Sequence, residues 1–165
     1  MEAQKAIEFG ATELDVVLNR DVLQAGDYAA TYAELFSLRE VAPRASGVHL
    51  KLILETSMLS KREIIYACAL AGWAGWDYVK TSTGFCGHGA TVEHVRIMRT
   101  MTEVMAQHIE AKNRIDSRVF KMKVKASGGI RTYIDAVSMI EAGADRIGAS
   151  AGVAIMEEST KSQSS

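Results

Sequence analysis

The sequence predicts an α/β fold with a parallel sheet of about five strands, and three observations predict it. A phrase that reads as helix end, tight turn and strand start recurs three times along the 165 residues. Hydrophobic runs of strand length alternate with helical stretches. No two runs are joined by a hairpin-type turn.

The phrase appears first as Ala6-Ile7-Glu8-Phe9-Gly10-Ala11-Thr12-Glu13-Leu14-Asp15-Val16. It returns as Leu70-Ala71-Gly72-Trp73-Ala74-Gly75-Trp76-Asp77-Tyr78-Val79 and as Ile140-Glu141-Ala142-Gly143-Ala144-Asp145-Arg146-Ile147-Gly148. Gly10, Gly72 and Gly143 suit helix C-caps, where a left-handed residue releases the chain into a strand. Their spacing is roughly twice the ~30 residues of a βα unit, so each interval should hold two units. The intervening strands are His49 to Leu54, after a helix over about 28–41, and Val119 to Val124, after a helix over about 91–112. Ser60-Lys61-Arg62-Glu63 fits a capping box before Ile64. Thr91 and Thr132 are N-cap candidates, with Glu93 and Asp135 placed to favour the positive helix ends.

Five strands leave two architectures open: a doubly wound open sheet, or part of a (β/α)8 barrel, which usually needs about 250 residues. The chain starts inside a helical run without a capping signal, and residues 157–165 read as a polar, frayed tail beyond a folded unit of residues 1–156.

Composition narrows the function classes. Hydrophobic residues at 48% and charged residues at 24% describe an ordinary globular domain. With 19 Lys+Arg against 20 Asp+Glu, the net charge of -1 gives no broad attraction to nucleic acid or anionic membrane. No apolar run approaches the ~20 residues of a membrane span, and the N-terminus lacks a signal-peptide core, so the expected location is cytoplasmic. Cys68 and Cys86 are too few for a disulfide framework or zinc knuckle, and no metal site is expected.

In a parallel α/β fold, chemistry gathers where strands end. Lys80, in Asp77-Tyr78-Val79-Lys80-Thr81-Ser82-Thr83-Gly84, and Lys125, in Met122-Lys123-Val124-Lys125-Ala126-Ser127-Gly128-Gly129, close two hydrophobic runs just before small-residue turns. Two lysines in one mouth lower each other's proton affinity, and a neutral amine is what carbonyl attack requires. Asp15, inside Leu14-Asp15-Val16-Val17-Leu18, needs a cation, and Lys51 is a candidate partner, with Glu55 placed to close that network. Gly128-Gly129-Ile130-Arg131 before a helix and Gly148-Ala149-Ser150 after the last strand suit a phosphate. Cys86 and His88 share one glycine loop, where a structural reading outweighs a nucleophile–base pair.

These segments resemble the deoxyribose-phosphate aldolase family over nearly the whole chain, from about Glu2 to Met156. The carrying motifs are Lys80-Thr81-Ser82-Thr83-Gly84 and Lys125-Ala126-Ser127-Gly128-Gly129-Ile130-Arg131-Thr132, supported by Leu14-Asp15-Val16-Val17 and Lys51-Leu52-Ile53-Leu54-Glu55-Thr56. The resemblance implies part of a TIM (β/α)8 barrel, its fourth through eighth strands. It implies a lyase that reversibly cleaves 2-deoxy-D-ribose 5-phosphate to D-glyceraldehyde 3-phosphate and acetaldehyde. Lys80 matches the Schiff-base lysine, Lys125 the lysine that lowers its pKa, and Asp15 the carboxylate that assists proton transfer. Phosphate binding would fall to Gly128, Gly129, Arg131, Gly148 and Ser150, with Lys51, Glu55 and Thr83 in support. No cofactor is implied, because the protonated imine is itself the electron sink. Ala151 stands where some members carry a second phosphate-binding serine, and Phe85 where some carry a lysine. The three units that family members carry first are absent, leaving two open sheet edges. The alternative expectation is therefore a weak or inactive barrel fragment that forms a homo-oligomer through those edges.

Overall fold

The computed structural model describes residues 2–113 and 121–162. In chain order the elements are α1 (Glu2–Glu8), β1 (Glu13–Val17), α2 (Arg20–Gln24), α3 (Tyr28–Val41), β2 (His49–Ile53), α4 (Lys61–Trp73), β3 (Tyr78–Lys80), α5 (Val92–Asn113), β4 (Lys123–Ser127), α6 (Tyr133–Glu141), β5 (Arg146–Gly148) and α7 (Gly152–Ser162). The strands form one sheet in the order β1-β2-β3-β4-β5, every neighbouring pair parallel. A doubly wound sheet reverses its strand order partway, and this one does not. Successive helices pack on one another, α3 on α4, α4 on α5, α5 on α6 and α6 on α7. The arrangement is that of a barrel wall.

Strand alternation divides the sheet into two chemically distinct faces. Leu14, Val16, Leu50, Leu52, Val79, Val124, Ala126 and Ile147 face the helices and join the hydrophobic core. The register places Asp15 beside Lys51, Lys51 beside Tyr78, and Lys80 beside Lys125, which is in turn beside Arg146, all on the opposite face. That face is concave. Four strand spacings of about 4.8 Å would separate β1 from β5 by about 19 Å in a flat sheet. Arg146 Nη1 nevertheless lies 2.9 Å from Glu13 Oε1, so the sheet curls enough for its first and last strands to touch through side chains.

The recurring phrase has a local cause. After α1, α4 and α6 the chain makes the same pair of hydrogen bonds: Ala11 N–H to Ala6 O with Gly10 N–H to Ile7 O, Trp76 N–H to Ala71 O with Gly75 N–H to Gly72 O, and Ala144 N–H to Met139 O with Gly143 N–H to Ile140 O. This is the Schellman closure, and it needs a left-handed residue. Gly75 fills that place after α4, not Gly72 as the sequence suggested. Gly72 lies inside the helix, where a Cβ would come 3.0 Å from Met105 Cγ, so its role is close packing of α4 on α5.

Two of the three phrases carry, just before the strand, an aspartate that ties the sheet at its amino-terminal edge. Asp77 Oδ2 accepts Leu50 N–H at 2.9 Å and pairs with Arg39 from α3. Asp145 Oδ2 accepts Val124 N–H at 2.8 Å and pairs with Arg99 from α5 at 3.2 Å. Each carboxylate thus binds the preceding strand and a crossover helix together.

Other expectations resolve as follows. The capping boxes at Ser60/Glu63 and Thr132/Asp135 are present, and Thr91 Oγ1 accepts His94 N–H at 3.1 Å. The strand expected over 119–124 begins at Lys123 and runs on to Ser127, because Ala126 and Ser127 still pair with Ile147 and Gly148; residues 119 and 120 lie outside the described residues. The polar tail is helical as far as Ser162, where α7 continues from the buried Ile155, and Glu158 Oε2 accepts Tyr133 N–H at 2.7 Å; residues 163–165 lie outside the described residues. No helix among the described residues is long and apolar enough to cross a membrane.

The two aspartate anchors differ in burial, since the Arg39 side chain is 9% exposed and that of Arg99 24%. Asp77→Ala leaves a buried guanidinium unpaired and should cost about 3 kcal/mol in urea unfolding. Asp145→Ala should cost about 1 kcal/mol, because water reaches its partner. Equal losses would contradict this assignment of their roles.

Candidate active site

The carboxyl ends of the strands form a cleft of about 430 Å³, lined by Lys80, Thr83, Gly84, Phe85, Lys125, Ser127, Gly128, Gly129, Ile130, Arg131, Gly148, Ala149 and Ser150. Both lysines and every residue expected at the phosphate are on this wall. Asp15 is outside this lining and more exposed than the lysines, and it bridges them. Its Oδ2 accepts from Lys80 Nζ at 2.8 Å and from Lys125 Nζ at 3.4 Å, and its Oδ1 from Lys51 Nζ at 2.7 Å. Lys51, 2% exposed, also reaches Glu13 Oε2 at 3.0 Å, and Glu13 continues to Arg146.

Side-chain periodicity explains the convergence. Asp15, Lys51, Lys80 and Lys125 occupy one face of four successive strands, and the curl of the sheet turns that face inward. Lys80 is the last residue of β3, whereas Lys125 lies inside β4, two residues before its end. Room for the Lys125 stem comes from Gly148, where a Cβ would sit 3.1 Å from Lys125 Cε.

The electrostatics follow from this packing. Burial pushes the Asp15 carboxyl up, but the hydrogen bonds from Lys51 and Lys80 and the charges of Lys80 and Lys125 outweigh it and hold the group well below the usual carboxylate range. Burial lowers the proton affinity of Lys125; Asp15 opposes that shift, and the neighbouring charges of Lys80 and Lys51 reinforce it. The sequence argument expected lysine–lysine repulsion to lead, but at Lys125 desolvation comes first.

The far rim of the cleft is built by backbone. Gly128 and Gly129 are both left-handed, at φ +84° and +77°, and a Cβ at Gly129 would come 2.9 Å from His88 O. Ala90 N–H donates to Gly128 O at 2.9 Å, so the 84–90 loop and the glycine turn form one rim. Arg131 is exposed beside the cleft. The amino end of α6 is already occupied, because Asp135 Oδ2 accepts from Arg131 N–H at 3.1 Å and Thr132 N–H at 3.0 Å. Those two amides are therefore satisfied by the helix's own aspartate.

Glu55 departs from expectation too. Its Oε1 accepts Thr83 N–H instead of joining Asp15 and Lys51, because a left-handed turn after β2 aims the side chain across to the loop after β3. Below the rim, Ser127 Oγ donates to Ser82 O at 2.5 Å, while Thr81 Oγ1 donates to Ser127 O at 2.8 Å and accepts Ser127 N–H at 2.9 Å. Sequence reasoning missed Ser127, Ile130 and Ala149 on the wall and Glu13 and Arg146 in the ion network. The two-residue period from Asp15 to Glu13 was the signal available for Glu13. Cys86 is an exposed free thiol, and no cluster of three metal-ligating side chains exists among the described residues.

Five sequentially ordered parallel strands with a lysine-lined cleft at their carboxyl ends define a sector of an α/β barrel. A family model described as DeoC/LacD family aldolase matches residues 1–158, and the chain belongs to this family. The deoxyribose-phosphate aldolase of Caldanaerobacter subterraneus subsp. tengcongensis is 46% identical over 158 residues, covering 96% of this chain and 62% of that protein. That of Thermococcus gammatolerans is 47% identical over 156 residues, covering 94% and 62%. The chain thus spans about three fifths of the length of these curated relatives. Among solved structures, a Coccidioides immitis protein assigned as a deoxyribose-phosphate aldolase superposes with a TM-score of 0.80 at 43% identity, covering 96% of this chain and 56% of that one. The Aeropyrum pernix deoxyribose phosphate aldolase, described as having a unique tetrameric structure, gives a TM-score of 0.78 at 35% identity, covering 98% and 60%. The barrel architecture and the family resemblance are borne out.

Asp15 has a depressed folded-state pKa, so its stabilising effect is present above its unfolded value of ~3.9 and is lost as pH falls through the folded value. Asp15→Asn should lower stability by about 2 kcal/mol at pH 7, a buried-pair cost reduced by partial exposure. The two stability curves should converge as the solution is acidified below about pH 4. A separation that stays constant down to pH 2 would show that Asp15 acts through packing rather than charge.

Proposed function

We propose that this chain supplies the Schiff-base site of an aldolase, acting in the cytoplasm on 2-deoxy-D-ribose 5-phosphate. One observation carries the reading. Lys80 and Lys125 share a single oxygen of Asp15 on the wall of a cleft whose far rim is Gly128–Arg131 and Gly148–Ser150. The identities to deoxyribose-phosphate aldolases support the choice of substrate.

In this mechanism neutral Lys80 attacks the C1 aldehyde, and loss of water from the carbinolamine leaves a protonated imine. Removal of the 3-hydroxyl proton breaks the C2–C3 bond. Its electrons move to the iminium nitrogen, releasing D-glyceraldehyde 3-phosphate and an enamine. Protonation of the enamine at C2 and hydrolysis return acetaldehyde and the free lysine. Asp15 stays ionised and touches both ammonium groups, so a proton leaving Lys80 has a short route toward Lys125. Lys125, with its lowered proton affinity, is suited to accept and return it. The glycine turns and Arg131 anchor the phosphate away from the reacting carbon. Thr83 and Lys51 support the nucleophile and Asp15 respectively.

Acetaldehyde followed by borohydride should leave an ethyl group on Lys80, located by peptide mass spectrometry, and Lys80→Arg should abolish it. An adduct confined to Lys125 would reverse the two roles, and none at either lysine would end the reading. Lys125→Met should slow trapping at least tenfold, since the group placed to exchange the nucleophile's proton is gone.

Self-association is proposed as well, on the exposed apolar Ile134, Ile140, Val153 and Met156 of α6 and α7. Light scattering should show a species larger than the monomer, reduced by Ile140→Lys with Met156→Lys. A parent chain that stays monomeric at high concentration rules this out.

A further inference from the structure

Glu55 carries two physical liabilities that folding alone does not explain. It is the one non-glycine residue with positive φ among the described residues, at φ 55° and ψ 60°. That conformation crowds the Cβ of an L-residue, and glycine would adopt it without cost. Its carboxylate is also buried, with the residue 2% exposed. Oε1 accepts Thr83 N–H, while Oε2 has no protein hydrogen-bond partner. Backbone strain retained at such a position points to function.

The surroundings identify what the strain secures. Leu54 N–H donates to Lys80 O at 2.9 Å, and Thr56 N–H donates to Thr81 O at 3.0 Å. Between these two backbone bonds, the left-handed turn at Glu55 sends its carboxylate to the Thr83 amide. The segment Leu54–Thr56 thereby grips Lys80–Thr83 at three successive points. Thr83 Oγ1 in turn accepts Phe85 N–H at 3.3 Å, which extends the hold to the cleft rim. Every residue gripped, apart from the buried Thr81 and Ser82, lines the cleft.

We propose that Glu55 is a positioning residue for the Schiff-base site: its carboxylate fixes the Thr83 amide and so sets the direction of the chain that carries Lys80 into the cleft. This inference rests on the assignment of Lys80 as the nucleophile. Among the described residues the Glu55 carboxylate has no hydrogen bond or ion pair to the lysines, so it acts through Thr83. Its effect should appear in the rate of imine formation rather than in the pH dependence set by Asp15 and Lys125.

The test compares the parent chain with Glu55→Gln, which keeps an acceptor oxygen, and Glu55→Gly, which removes both strain and acceptor. Acetaldehyde–borohydride trapping at Lys80 is normalised to the folded fraction from circular dichroism, and Thr83 amide exchange is followed by NMR. Glu55→Gly should trap at least tenfold more slowly, in line with the large rate penalty of small misplacements, with the pH midpoint unchanged. Glu55→Gln should recover the rate to within about threefold of the parent. Thr83 exchange should be slow in the parent and in Glu55→Gln and fast in Glu55→Gly. Parental trapping by Glu55→Gly, or a rate loss in Glu55→Gln equal to that in Glu55→Gly, overturns the proposal. If the parent forms no adduct at Lys80, the nucleophile assignment fails by itself. The amide exchange then decides about Glu55, and equal exchange in all three chains overturns it.

Discussion

The carboxylate of Asp15 is the constraint on which the concave face depends. It accepts from lysines on β2, β3 and β4. Without a shared anion, three ammonium groups crowded onto one face of a sheet would repel one another at close range. With it, the like charges become a cluster, and two of its lysines line the cleft. Glu13 and Arg146 extend the same logic from the first strand to the last, tying the curl of the sheet to its charge pattern.

Only the concave face is organised in this way. The opposite face is apolar and meets a layer of helices, so the sheet has an outside held by burial and an inside held by ion pairs. The proposed chemistry uses that contrast. A lysine amine is easier to deprotonate when it is partly withdrawn from water and close to other cations, and Lys125 shows both influences. The glycine rim is built differently, through left-handed glycines whose missing side chains let two loops lie against each other.

Much of this was legible in the chain. Alternating periodicities gave the parallel sheet, and the capping residues gave the helix starts, because both depend on local geometry that residue types encode directly. The positions of Lys80, Lys125 and Asp15 were legible because a charge in an apolar run has few places to go. The failures share a cause. Gly72 and Gly75 lie close together in sequence, and only the hydrogen-bond pattern shows which one turns the chain. Glu55 reads as one more acid near Asp15 until a single left-handed torsion redirects it. Glu13 and Arg146 meet because the sheet curls, and curvature belongs to the assembled sheet rather than to any segment of the sequence.

Asp77 and Asp145 have a consequence for how such a chain can change over time. Each ties one strand and one crossover helix at the end of the sheet opposite the cleft. Architecture and chemistry therefore occupy opposite poles of the same short strands. Residues at the mouth can be exchanged while these anchors continue to hold the strands in register, so the same scaffold can be refitted for a different ligand. The repeated glycine–aspartate phrase is then the inherited hinge pin of a modular wall, and novelty is confined to the end where the strands run out.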